Sequence, residues 1–188
     1  MELGKTLYVK NRSEWRKWLS KYHSSEKVIW LIYYRKSSGK PRIPYNDAVE
    51  EALCFGWIDS TVKRIDDEKF AQRFTPRRLD SILSQMNRER VRKLLAEKQM
   101  MPIGLKAISH VFKVGEKDNF KIPKSVLTAI QKNPDAWKHF QKLPEHYKRI
   151  RISYILDRKY QGKEAFKNSL ANFIRITAQG KRFGMVRD

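Results

Sequence analysis

Trp57, Asp59, Arg73, Arg77, Arg78, Ser81, Asn87, Arg88 and Arg90 form the densest group of residues equipped to hold a ligand. A guanidinium offers two parallel N–H groups that match the oxygens of a phosphate or carboxylate, so several of them facing one acid, a hydroxyl and an amide would make a site for a phosphate, carboxylate or nucleotide. A helix beginning at Ser81 would add backbone N–H donors to it. The competing arrangement is structural. In it Asp59 pairs with Arg77 or Arg78 to pin a hairpin to the helices, and Trp57 is core.

A second basic group lies near the C-terminus. Lys148, Arg149 and Arg151, with Lys181 and Arg182 next to Phe183, could track the phosphates of a nucleic acid and stack a base. The alternative is a helix whose Ile150, Ile155 and Phe173 pack inward while its charges are solvated. Catalytic patterns are missing: His23, His110, His139 and His146 have no metal-ligand spacing, and neither a phosphate-cradling glycine loop nor a nucleophile elbow occurs. No catalytic residue, metal or cofactor is therefore assigned. Cys54, the single cysteine, sits in an apolar run and reads as a buried structural thiol, because an apolar flank raises a thiol's pKa and disfavours a Cys54–His110 nucleophile and base. Asp66, Asp67 and Glu68 read as a solvated turn before a cation site.

These residues depend on the elements that carry them. Asn11 followed three places later by Glu14 starts a helix over about 11–23, with Trp15, Trp18, Leu19 and Tyr22 at helical spacing. Residues 28–34 are too β-branched and aromatic for a surface helix and predict a central strand covered on both faces. A helix from Pro44–Asp47 presents Val49, Ala52 and Leu53 inward and ends at Gly56 in a left-handed cap. Residues 60–65 and 70–75 predict an antiparallel hairpin. Asp80 or Ser81 then caps a short helix, Asn87 caps another through Lys98, and Pro102 opens a third. Beyond a linker at residues 115–119, helices run from Pro123 to Lys132, from Asp135 to Lys142 and on to Ala178. The expectation is an α+β protein. Residues 1–115 form a small antiparallel sheet with packed helices, and residues 116–188 form a basic, all-helical module.

At 188 residues with 40% hydrophobic side chains the chain can bury a core, which argues against disorder. No apolar run is long enough to span a bilayer and the start at Met1 lacks the apolar stretch of a secretion signal, so a cytoplasmic protein is expected. The net charge of +21, nearly half of it beyond residue 115, points to polyanionic partners or, more simply, to a soluble surface.

The stretch EALCFGWIDS at residues 51–60 resembles the signature of the YdeI/OmpD-associated, bacteriocin-protection family. FTPRR at 74–78, residues 81–90 with Asn87 and Arg88, MPIGL at 101–105 and the pair Trp15 and Trp18 add to the resemblance, which is looser after residue 115. The chain departs from the family's pattern at Leu83, where a Trp is usual, and over residues 164–170. The resemblance implies a cytoplasmic protein linked to tolerance of bacteriocins or cationic antimicrobial peptides, with no recognised reaction. Sequence thus favours a non-enzymatic stress-tolerance protein that binds an anionic small molecule or protein partner. A nucleic-acid-binding protein and an enzyme on a small phosphorylated substrate are the alternatives, and monomer and homodimer remain equally open.

Overall fold

A computed structural model describes residues 3–116 and 118–186. Met1 and Glu2 of the expected start and Lys117 of the expected linker lie outside the described residues. Contacts separate the chain into two compact units: residues up to Leu83 with Arg90–Val114, and Ser84–Glu89 with the residues from Gly115 onward.

The first unit is built on a four-stranded sheet. Its strands are β1 (Thr6–Tyr8), β2 (Ile29–Tyr34), β3 (Trp57–Arg64) and β4 (Lys69–Pro76), in the order β1-β2-β4-β3. The sheet is mixed where a purely antiparallel one was expected, because β1 runs parallel to β2. β2 takes a central place between β1 and β4, as its continuous apolarity predicts. The hairpin of β3 and β4 also forms, closed by a turn in which Asp66 Oδ1 accepts the N–H groups of Glu68 and Lys69, both at 2.9 Å.

Side chains alternate across a strand, so the register decides what each face carries. Ile29, Leu31 and Tyr33 of β2 face the helices and lie opposite Phe74, Gln72 and Phe70 of β4. Helices α1 (Arg12–Tyr22) and α2 (Tyr45–Cys54) contribute Trp15, Leu19, Val49 and Leu53 to the same core. Asn11 caps α1 by accepting from the Glu14 N–H. Polar side chains tie the two helices together: Arg12 reaches Glu50 at 2.8 Å and also Glu51, while Arg16 reaches Glu51 at 2.7 Å. Two glycines permit the close approaches here. Gly56, at φ +73°, turns the chain from α2 into β3. A Cβ on Gly104 of helix α4 (Pro102–Ile108) would lie 2.2 Å from the Cys54 carbonyl oxygen.

The expected short helix capped by Asp80 or Ser81 does not form. Residues 81–84 are irregular, and helix α3 (Gln85–Ala96) begins after Ser84, whose Oγ accepts the Asn87 N–H at 3.3 Å, so Asn87 lies within the helix and is not the cap expected of it. Ser81 Oγ instead donates to the Arg78 carbonyl at 2.8 Å, and the Ser81 carbonyl is held by His110 Nε2 at 3.0 Å. Ser81 is therefore no helix start.

The second unit is helical: α5 (Lys124–Gln131), α6 (Pro134–Lys142), α7 (Glu145–Asp157) and α8 (Lys163–Ala178), joined by the first turn of α3. Its core gathers Val126, Ile130, Phe140, Ile152, Ile155 and Phe173. The α+β class holds, with the sheet confined to the first unit.

Candidate functional site

Two places collect the residues singled out above, one in each unit. In the first, Asp59 of β3 lies opposite Phe74 and so faces the helices, where its Oδ2 accepts the Tyr45 hydroxyl at 2.6 Å. Burial together with this bond to a carboxylate drives the Tyr45 pKa up. Burial also raises Tyr33, with Tyr45 and Asp59 adding to it, and the Tyr33 hydroxyl is buried without a hydrogen-bond partner. Arg77 is buried, and its N–H donates to the Gly56 carbonyl at 2.9 Å while Nη2 donates to the Ile82 carbonyl at 2.7 Å. Burial lowers its pKa against the nearby charge of Asp59.

The remaining predicted residues scatter. Trp57 is core and donates Nε1–H to the His23 carbonyl at 3.1 Å. Arg73 lies opposite Trp30 and therefore on the far face of the sheet from Asp59, reaching Ser60 Oγ at 3.5 Å. Arg78 is exposed, and Arg90 donates to Asn46 Oδ1 at 2.6 Å. Asn87 and Arg88 belong to the second unit. Cys54 and His110 form no nucleophile and base: His110 holds the Ser81 carbonyl, and burial, reinforced by Glu51, pushes the Cys54 thiol up to about 11 against the pull of Arg16 and Arg12. The Arg77 side chain thus binds the Ile82 carbonyl while its buried Nε has no partner, and Asp59 binds a tyrosine that sequence reasoning passed over. Tyr45, at the first position of α2, carries no sequence signal that sets it apart from a core aromatic.

In the second unit, Arg151 and Tyr154 of α7, with Arg158 just after its last turn, line one wall of a groove of about 690 Å³. Their spacing of three and then four places them on one helix face. Glu164, Asn168, Ser169 and Asn172 of α8 line the other wall. Phe183 completes it from the segment after α8. Tyr147 fixes that segment, accepting the Phe183 N–H at 3.0 Å and donating to its carbonyl at 3.2 Å. Gly184, at φ +92°, lets the backbone pass the guanidinium of Arg151, since a Cβ there would sit 2.9 Å from Nη1.

Arg151 is the unusual residue of the groove. It is only 8% exposed, its guanidinium carbon lies 4.0 Å from the Phe183 ring centroid and 5.1 Å from that of Tyr154, and its Nε–H has no hydrogen-bond partner. Burial lowers its pKa, and among the described residues no carboxylate forms an ion pair with it. Arg158, 6.0 Å from the same Tyr154 ring, also has an unpartnered buried Nε. A buried cation without a counter-charge is costly to maintain, and an arriving anion would relieve that cost.

Other basic residues predicted for this region are engaged or peripheral. Lys148 donates to Glu145 at 2.7 Å and to the Gln141 carbonyl at 3.2 Å. Arg149 holds Glu89 through two bonds, at 2.5 and 3.1 Å, with Asp118 at 3.6 Å. Lys181 is exposed, and Arg182 lies 5.8 Å from the Tyr147 ring. Arg158, Asn168, Ser169 and Asn172 were missed by sequence reasoning, although the four-residue step from Asn168 to Asn172 is a helix-face signal.

Two kinds of domain meet in this chain. Residues 7–107, more than half of it, match the family model of a domain of unknown function, DUF8412, and the chain belongs to that family. Residues 119–180 match the model described as bacteriocin-protection, YdeI or OmpD-associated, which supports the resemblance and carries it on the helical part that includes α7 and α8. The blocks at 51–60, 74–78, 81–90 and 101–105 fall within the other match. No curated protein and no solved structure matches the chain. No described helix is long and apolar enough to cross a membrane.

Proposed function

We propose that the protein binds a small anionic ligand in the groove between α7 and α8, in the cytoplasm and without catalysing a reaction, and that this binding underlies the bacteriocin-protection-related role suggested by the match of residues 119–180. The observation that carries this reading is Arg151: buried, stacked on Phe183, and with an Nε–H that no atom of the described residues accepts. Guanidinium hydrogen bonds to an anion are charge-assisted and strengthen where water is excluded. The decisive experiment is calorimetric titration of the protein with inorganic phosphate, beside the Arg151→Gln variant. Saturable binding that weakens at least tenfold in the variant supports the reading. Equal binding by both proteins sinks it.

Nucleic acid is the second reading, favoured by the net charge of +21. It is weaker in the second unit because Lys148 and Arg149 are occupied by acidic and carbonyl partners. Affinity built on several phosphate contacts falls steeply with salt, so single-stranded DNA binding that survives near-physiological ionic strength would favour it over the groove.

A further inference from the structure

We infer that the anion taken by the α7–α8 groove is the phosphate of a monoester whose body is hydroxyl-rich and sugar-like. The inference rests on the anion-binding reading and adds the ligand's class. Three features of the groove lead to it.

The first is size. A volume of about 690 Å³ lies within the roughly 300–1,000 Å³ of small-molecule sites, far more than a bare oxyanion fills, so the anion must carry a body. The second is the charge on the α7 wall. Arg151 and Arg158 both reach the ring of Tyr154, at 5.1 and 6.0 Å, and each keeps an unpartnered Nε–H. Two cations with forked donors suit a phosphate monoester, which carries close to two negative charges and three acceptor oxygens, better than a carboxylate with one charge.

The third is the chemistry of the α8 wall. Asn168 and Ser169 make no hydrogen bond to the described chain, and Asn172 uses only Oδ1, which accepts from Arg175 at 2.8 Å. Amides and a hydroxyl both donate and accept, as sugar hydroxyls require, and neither binds a second phosphate with charge. Glu164 on the same wall sets a negative charge against a second anionic group. Tyr154, 47% exposed, offers an apolar ring on which the C–H face of a sugar can rest. The groove is thus cationic on one wall, and the other offers hydrogen-bonding amides and a hydroxyl beside the carboxylate of Glu164.

The test is calorimetric titration of the full chain with glucose 6-phosphate, inorganic phosphate, glucose and adenosine monophosphate, repeated on an Asn168→Ala/Asn172→Ala double variant. Both asparagines are exposed on α8 and alanine is the better helix former, so the variant keeps its fold. The expected result is glucose 6-phosphate at least tenfold tighter than inorganic phosphate, glucose alone without measurable binding, and the nucleotide weaker than the sugar phosphate. In the double variant, glucose 6-phosphate should fall to the level of inorganic phosphate, whose own affinity stays unchanged. Inorganic phosphate binding as tightly as glucose 6-phosphate overturns the sugar-like body and leaves anion binding standing. A nucleotide that binds tighter than the sugar phosphate, or a double variant that weakens both ligands alike, overturns it as well. If nothing binds, the anion-binding reading fails and this inference with it.

Discussion

Each unit pairs some arginines with carboxylates and buries another apart from them, and what surrounds that other one differs. In the first, Arg12 and Arg16 grip Glu50 and Glu51, and the buried Arg77 donates Nη2 to the Ile82 carbonyl while its Nε has no partner. In the second, Arg149 is gripped in the same manner by Glu89, but Arg151 lies between aromatic rings with no ion pair among the described residues and no hydrogen-bond partner for its buried Nε–H. A dense run of arginines in the sequence is therefore a poor guide to a ligand site. What marks one is a cation the fold buries and leaves uncompensated, because a satisfied ion pair has little left to offer a ligand.

The largest effect expected from this contrast is on stability in the first unit. Glu51 is 1% exposed and serves two guanidiniums, so Glu51→Gln should lower the unfolding free energy by about 3 kcal/mol, the low end for breaking a buried pair because Arg12 and Arg16 are partly exposed. Urea unfolding followed by tryptophan fluorescence measures it. A midpoint equal to wild type would show that these arginines are not held by the acids, and the contrast would lose one side.

Next in size is an alkaline loss of stability. The Cys54 thiol, ordinarily near 9, is held at about 11 by burial, so the unfolded chain releases its proton first as pH rises. The stabilisation is fully present below about pH 9 and disappears as pH climbs through about 11, amounting to about 2–3 kcal/mol. Unfolding free energies of wild type and Cys54→Ala between pH 8 and pH 11 should converge over that window. Parallel curves would mean the thiol is not desolvated. The same burial predicts that iodoacetamide labels Cys54 only under denaturing conditions.

Arg77→Ala tests the comparison directly. It removes the bond to the Ile82 carbonyl but also a desolvated charge, so the loss should be about 1–2 kcal/mol, with phosphate affinity unchanged. A protein that stays folded yet loses phosphate binding would move the site to the corner of Asp59 and Arg77.

Much of the frame was legible in the sequence because it is local. Asn11 and Glu14 announce the start of α1, the run at residues 29–34 announces a central strand, and Gly56 marks the end of α2, each through chemistry within a few residues. β1 was not legible. Its three residues show no periodicity, and only its parallel pairing with β2 makes it a strand. Ser81 and Asn87, expected as helix caps, share their capping chemistry with Ser84, which the sequence reading passed over. The choice falls to Ser84 because Ser81 is drawn to the Arg78 carbonyl and to His110, a residue distant in sequence. The groove was half legible: Arg151 stood out as basic, but that Lys148 and Arg149 pair with Glu145 and Glu89 while Arg151 has no ion pair among the described residues is something no spacing rule encodes.

The smallest effect separates charge from shape at Arg151. Arg151→Lys keeps one positive charge on a flexible stem, but a lysine ammonium is a compact, strongly hydrated point charge that lacks the planar fork and stacks poorly on Phe183. If the groove binds its anion by general attraction, the lysine variant should hold inorganic phosphate as well as wild type does. If the planar fork stacked on Phe183 is what holds the ligand, affinity should fall about three- to tenfold, roughly 1 kcal/mol, while the thermal midpoint barely moves. The second outcome is expected, because the Gly184 backbone passes close to the Arg151 guanidinium and the Phe183 ring stacks on its flat face, a fit that an ammonium on a flexible stem does not reproduce. An unchanged affinity would reduce the difference between the two units to one of net charge.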